Sequence, residues 1–303
     1  MKFGKLANID GIDFSLPNDP AINQVTLNDG KATTKHHLYI GCTGWSMKEW
    51  VGKVYPKGTK SAGFLKAYTK QFNTIELNTT HYRIPNMATI DKWRLESETD
   101  FKFCPKIPQT ISHSRDIGMS SPQLRIFWDA IVGLEESLGC CFIQLPPHFK
   151  IEKIALLDQF LAAWPISIPL AVELRHASWY QDQESLDKYL NLLNKYDKCA
   201  VITDVAGRRD VLHMGLTNKI SMIRFVGNAL HPTDYSRIDE WIDRLAQWYK
   251  QGLEDVYFFT HEPDNLLAPD LAAYLHSKSH KIEQLISRGP SLNDPDGEQL
   301  SLF

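Results

Sequence analysis

Residues 170–204 open with Leu170-Ala171-Val172-Glu173-Leu174-Arg175-His176. They continue through the amphipathic stretch Glu184–Tyr196 and close with Cys199-Ala200-Val201-Ile202-Thr203-Asp204. An apolar run, a helical period and a second apolar run form a strand–helix–strand unit, whose two strands lie parallel. Both runs are almost continuously apolar, as strands covered on both faces should be.

The same alternation extends outward in both directions. Strands are expected at His37–Thr43, Thr74–Thr80, Phe101–Ile107, Cys140–Leu145, Leu170–Arg175, Cys199–Asp204, Ser221–Phe225 and Asp255–His261. Helices are expected at Ser61–Phe72, Met87–Ser97, Ser121–Leu138, Lys153–Trp164, Glu184–Tyr196, Val211–Thr217, Ser236–Gln251 and Pro269–Ser279. In Ser236–Gln251 the residues Ile238, Trp241, Ile242, Leu245 and Trp248 recur at helical spacing, with Gly252 placed to end the helix. Eight strand–helix repeats spell an α/β fold, a single-domain (β/α)8 TIM barrel. A doubly wound open sheet is the competing reading. It wants a glycine-rich turn after the first strand, and Gly41-Cys42-Thr43-Gly44 lacks the third glycine. Residues 1–36 read as an N-terminal extension, 37–281 as the barrel and 282–303 as a flexible tail.

The strand-to-helix loops are long (Gly44–Lys60, Pro108–Ser120, Gly227–Tyr235), which places the working face at the carboxyl ends of the strands. Lys106, Arg175 and Arg224 fall there, with Glu76, Glu173 and Asp204 among them. A carboxylate within an apolar strand is costly unless it is paired or used. One reading is a structural ion-pair layer. The other is an anion site, with Lys106, Arg175 and Arg224 holding phosphate or carboxylate oxygens. In that site Glu173 is the expected general base, assisted by Glu76, His176 or Asp204. Trp45, Tyr82, His113, Gln144 and Tyr235 are further expected ligand contacts at the same end. The cofactor is left open. His81, His176, His231 and His261 beside Glu76, Glu173 and Asp204 would suit a divalent metal, but there is no H-E-x-x-H or other close metal spacing.

The net charge of −3 argues against a sequence-wide affinity for nucleic acid and leaves room for a local basic patch. No apolar stretch is long enough to span a bilayer, and the first thirty residues carry no apolar core of a secretory signal. Five cysteines without a C-x-x-C pair read as buried thiols. A cytoplasmic protein without membrane contact is expected.

Several ordered motifs share one resemblance. They are Gly41-Cys42-Thr43-Gly44-Trp45 with Trp50 and Tyr55-Pro56, and Glu76-Leu77-Asn78-Thr79-Thr80-His81-Tyr82-Arg83-Ile84-Pro85 with Trp93. Phe101-Lys102-Phe103-Cys104-Pro105-Lys106 with His113 follows, then Gln144-Leu145-Pro146-Pro147, Glu173-Leu174-Arg175-His176 with Trp179, and Ile223-Arg224-Phe225. Together they resemble the YecE-like family, a domain of unknown function with a TIM-barrel fold. That family usually has Phe in place of His81, and an Asn-rich strand end in place of Thr260-His261-Glu262. The resemblance implies the barrel and its pocket but no reaction. The barrel also looks like the endonuclease IV and sugar-isomerase type, which implies DNA or sugar-phosphate ligands.

The last five residues, Gln299-Leu300-Ser301-Leu302-Phe303, match the bacterial sliding-clamp-binding consensus and follow a polar, Gly- and Pro-containing linker. Gln299, Leu300, Leu302 and Phe303 are the expected contacts with the DNA sliding clamp. Three functions follow as expectations. One is a nuclease- or hydrolase-like enzyme acting on DNA or a nucleotide phosphate in repair or replication, tethered to the clamp. The others are an isomerase-like enzyme of sugar phosphates or other small anions, and a non-catalytic ligand-binding module.

Overall fold

All eight expected strands form, and a ninth joins them. The computed structural model describes residue 4, residues 6–27 and residues 35–293. Its strands are β1 (His36–Gly41), β2 (Thr74–Leu77), β3 (Lys102–Pro105), β4 (Cys141–Gln144), β5 (Leu170–Glu173), β6 (Cys199–Asp204), β7 (Ile220–Val226), β8 (Asp255–His261) and β9 (Leu285–Arg288). Seven share one sheet in the order β4-β5-β6-β7-β8-β1-β9, and β2 pairs with β3. Every pairing among the described residues is parallel.

The α-helices are α1 (Ile22–Leu27), α2 (Phe64–Gln71), α3 (Met87–Glu96), α4 (Gln109–Ser112), α5 (Gln123–Ile131), α6 (Ile154–Ala163), α7 (Gln183–Lys195), α8 (Pro232–Gln251) and α9 (Ala268–Ser279). Their apolar faces pack on the strands in two large buried clusters. A smaller cluster gathers Tyr39, Phe142, Ala171, Val201, Met222, Tyr257 and Phe259, which come from β1 and β4 to β8. The architecture is α/β, with a parallel seven-stranded sheet and flanking helices.

Two gaps in the strand order are bridged by a few hydrogen bonds, among them Gly139 N–H to the Phe103 carbonyl at 2.8 Å and the Asn73 side chain to Ile40 and Leu38 of β1. Glu76 N–H donates to the Cys42 carbonyl at 3.0 Å, and Ile107 N–H donates to Phe142 at 2.9 Å. β1 and β2 approach closely at Gly41, where a Cβ would lie 2.3 Å from the Thr74 carbonyl oxygen.

The structure corrects four expectations. Val211–Thr217 is not a helix. A distorted 3-10 segment covers Ala206–Val211, and 212–217 is irregular. The extension expected to lie outside the barrel serves this stretch instead. Asn23 of α1 donates to the Met214 carbonyl and accepts from Leu216 N–H, both at 2.8 Å, and Thr26 donates to the Leu216 carbonyl at 2.9 Å. A segment whose backbone is satisfied from outside has no need to satisfy itself as a helix. Part of the expected tail is also built into the fold. β9 pairs with the first half of β1, and beyond it Asn293 N–H donates to the Lys53 carbonyl at 2.9 Å. The expected helix Ser121–Leu138 is likewise shorter: α5 stops at Ile131, and a kinked 3-10 segment follows, with Glu135 at φ 50°.

Candidate functional site

Side chains alternate across a strand, so register decides which residues meet. Gln144 is aligned with Glu173, and Thr203 with Arg224. On this parity Glu76, Lys106, Gln144, Glu173, Arg175, Arg224 and His261 share one face, and they form a connected network.

Arg224 is its hub. Its Nε and one terminal nitrogen donate to the two Glu76 oxygens at 2.9 and 3.0 Å, and its other terminal nitrogen donates to Glu173 at 2.8 Å. Arg175 Nε donates to the second Glu173 oxygen at 3.1 Å. Gln144 donates to Glu173 at 2.7 Å and accepts from Lys106 Nζ at 2.9 Å. Asn78 donates to Glu76 at 3.0 Å, and His261 Nε2 lies 2.9 Å from it.

A cavity of about 470 Å³ opens above this network, lined by Glu76, His81, Lys106, Arg175, Arg224 and His261. Tyr82, 74% exposed, stands at its rim. The cations are recessed: Lys106 is 2% exposed, Arg224 6% and Arg175 7%.

Burial alone would raise both carboxylates, but their neighbours prevail. Arg224 and His261 hold Glu76 well below the usual range. Arg224, Arg175, Gln144 and Lys106 bring Glu173 down to about 2. Burial and the adjacent Arg224 charge push Lys106 down to about 8. Burial and the charge of Asp234 lift Glu262, at the end of β8, to about 7, against the backbone N–H groups of Ala229 and Leu230 that it accepts. His81 is lowered by burial, although its Nδ1 bonds the Ile107 carbonyl at 2.9 Å.

The remaining expected site residues lie elsewhere. Asp204 follows Thr203 and so points to the opposite face. There it accepts from Arg237 at 3.0 Å, from Trp241 Nε1 at 2.8 Å and from Arg209. It is a buried anchor for α8 and no part of the cavity. His176 also falls on the outward parity, and its Nδ1 caps a 3-10 turn by accepting from Ser178 N–H at 3.0 Å. Trp45 packs edge-on against Trp93, and Tyr235 against Tyr274. His113 sits 5.6 Å from the His81 ring, centroid to centroid. Gln299, Leu300, Leu302 and Phe303 lie outside the described residues.

The cavity also gathers His81 and His261, expected only as possible metal ligands, and Asn78, Thr203 and Glu262, which were not among the expected site residues. Strand parity carries the signal for Thr203 and His261, since each lies two residues from an inward-facing neighbour. Among the described residues, no group of three or more His, Cys, Asp or Glu side chains is placed to hold a metal ion. No helix among them is long and apolar enough to cross a membrane.

Fold and site define a parallel α/β protein with a small, charged, recessed cavity at the carboxyl ends of its strands. The chain belongs to the DUF72 family, described as a protein of unknown function, whose profile matches residues 39–294. UPF0759 protein YecE of Escherichia coli (strain K12) is 28% identical over 284 residues, covering 88% of this chain and 100% of that protein. UPF0759 protein YunF of Bacillus subtilis (strain 168) is 32% identical over 152 residues, covering 47% of this chain and 52% of that protein. The crystal structure of a DUF72 family protein from Enterococcus faecalis V583 superposes with a TM-score of 0.65 at 19% identity, covering 87% of this chain and 100% of that one.

Proposed function

We propose that this chain binds a small phosphate- or carboxylate-bearing molecule in the cavity and acts on it as an isomerase-like or hydrolase-like enzyme. One observation carries the reading: three cations, Lys106, Arg175 and Arg224, line one recessed cavity, and Lys106 Nζ is held by the neutral Gln144 amide instead of a carboxylate. The volume suits a small molecule, and Lys106 is the cation there whose side-chain partner is not a carboxylate. A duplex backbone could not reach cations this deeply set, so direct gripping of DNA is the weaker reading. Glu173, held at about 2, is too weak a base for the role expected of it. Proton transfer falls to groups that titrate nearer neutrality, Glu262 and Lys106. The β1–β2 and β3–β4 bridging bonds and the small inner cluster support closure of the strands into a TIM-like barrel around this cavity. We place its work in the cytoplasm.

Inorganic phosphate should bind with a Kd of about a millimolar, followed by phosphorus NMR or calorimetry. Affinity should fall as the pH rises through about 8, where Lys106 loses its charge. Lys106→Met should weaken binding by about tenfold. No binding at about 20 mM phosphate would defeat the reading.

A partner is proposed on the sequence of the last five residues. Gln299-Leu300-Ser301-Leu302-Phe303 would dock on the bacterial sliding clamp, with Leu302 and Phe303 as buried anchors and a Kd of roughly micromolar. This would bring the barrel to DNA during repair or replication without a basic body. Truncation after Glu298 should abolish clamp binding and leave the unfolding midpoint unchanged. A full-length chain that shows no clamp binding at about 100 µM would refute it.

A further inference from the structure

We propose that Lys106 forms an imine with the carbonyl carbon of a small aldehyde or ketone that carries a phosphate or carboxylate group. The inference rests on the anion-binding reading of the same cavity and narrows its substrate class.

The three cations of the site are not held alike. Arg224 directs three N–H groups at carboxylate oxygens, and Arg175 directs its Nε at another. Lys106 Nζ instead donates to the neutral amide oxygen of Gln144, and among the described residues it has no carboxylate oxygen within 4.0 Å. The orientation of that amide is fixed. Its nitrogen must face the Glu173 carboxylate, which can only accept, and so its oxygen faces the lysine. An amine with no carboxylate within 4.0 Å, recessed near two guanidinium groups, is held in a setting where burial and those charges outweigh the pull of Glu76 and Glu173 on an ammonium ion. Its descent to about 8 agrees with this. Such a lysine is a nucleophile at neutral pH, which neither arginine can be.

The step balances without an oxidant or reductant. The Lys106 lone pair forms the N–C bond as the carbonyl π bond breaks toward oxygen. Both N–H protons end on that oxygen, which departs as water and leaves the C=N bond. His81 lines the cavity and can carry these protons. Its Nδ1–H must donate to the Ile107 carbonyl, which leaves the Nε2 lone pair as an acceptor. Arg175 and Arg224, already donating to Glu173 and Glu76, border the same cavity and line the path of the anionic end of the substrate.

Pyridoxal 5′-phosphate serves as a probe that carries both groups, with pyridoxal as the phosphate-free comparison. Full-length protein is incubated with each, reduced with borohydride and mapped by peptide mass spectrometry, alongside direct measurement of inorganic phosphate binding. The expected result is one adduct per chain at Lys106, formed about tenfold faster with the phosphate than without it and suppressed by inorganic phosphate. Lys106→Arg, which keeps a cation but cannot form an imine, should lose the adduct. That variant separates lost chemistry from lost folding, and its far-ultraviolet circular dichroism should match the parent. Adducts spread over surface lysines while phosphate still binds would overturn the imine and leave the anion site standing. If neither phosphate binding nor a Lys106 adduct is seen, both readings fall.

Discussion

Arg224→Ala should cost about 3–5 kcal/mol of folding stability, the largest loss expected of any side chain at the site. The arginine is the shared counter-ion of Glu76 and Glu173, which are 0% and 1% exposed. Its removal leaves two buried carboxylates near one another, with Asn78, Gln144, Arg175 and His261 as their remaining partners. Such groups would have to take up protons or admit water, and either route forfeits the favourable terms that hold both so acidic. Arg224→Lys should recover only part of the loss, because one ammonium cannot replace a guanidinium that reaches two carboxylates at once. The double variant Glu76→Gln, Arg224→Met should lose less than Arg224→Ala, since it removes a charge along with its partner. Urea unfolding midpoints at neutral pH measure all three. A loss under about 1 kcal/mol for Arg224→Ala would show that the carboxylates do not depend on it.

Glu262→Gln should raise stability at pH 8 by up to about 3 kcal/mol and change it little at pH 4.5. In the fold Glu262 keeps its proton to about 7, whereas an unfolded glutamate releases it near 4.3. Between those values the native chain binds more protons than the unfolded one, so this group makes stability fall as the pH rises. Glutamine keeps an oxygen for the Ala229 N–H, gives up the longer bond from Leu230 N–H, and escapes the cost of a buried charge. His213 works in the opposite sense. Burial drives it down to about 4 against its bond to the Val201 carbonyl, so its contribution is lost as the pH falls from about 6.5 toward 4. In the parent the two slopes offset each other. In the variant, stability should climb between about pH 4.5 and 6.5, as His213 alone would make it. Urea titrations at several pH values test this. An equal Glu262→Gln effect at pH 5 and pH 8 would contradict it.

The eight strands were legible because each is a short apolar run between helical stretches, and burial on both faces leaves that mark on composition. β9 was not. Leu285–Arg288 is four residues long with a polar second half, and it follows a helix where a linker is the ordinary expectation. The absent helix at 211–217 had a readable warning, since Leu212, Met214 and Leu216 repeat at a period of two, as in extended chain. Its cover by α1 is a long-range event that no local pattern encodes. At the site, the carboxylates and cations of β2, β3, β5 and β7 were found by their cost in apolar strands. Asp204 met the same criterion, and only register separates it from them: one residue beyond Thr203, it serves α8. Trp45 and Tyr235 failed for another reason, because ring chemistry does not distinguish a stacking platform from a packing contact.

The path of the chain beyond β9 sets a leash length. β9 runs parallel to β1, and by Asn293 the backbone has reached Lys53, in the loop that leaves the carboxyl end of β1. Ten residues separate that point from Phe303. Fully extended they span at most about 35 Å. A partner taken by those residues, as proposed, would be held within about 35 Å of Lys53, in the loop that follows β1.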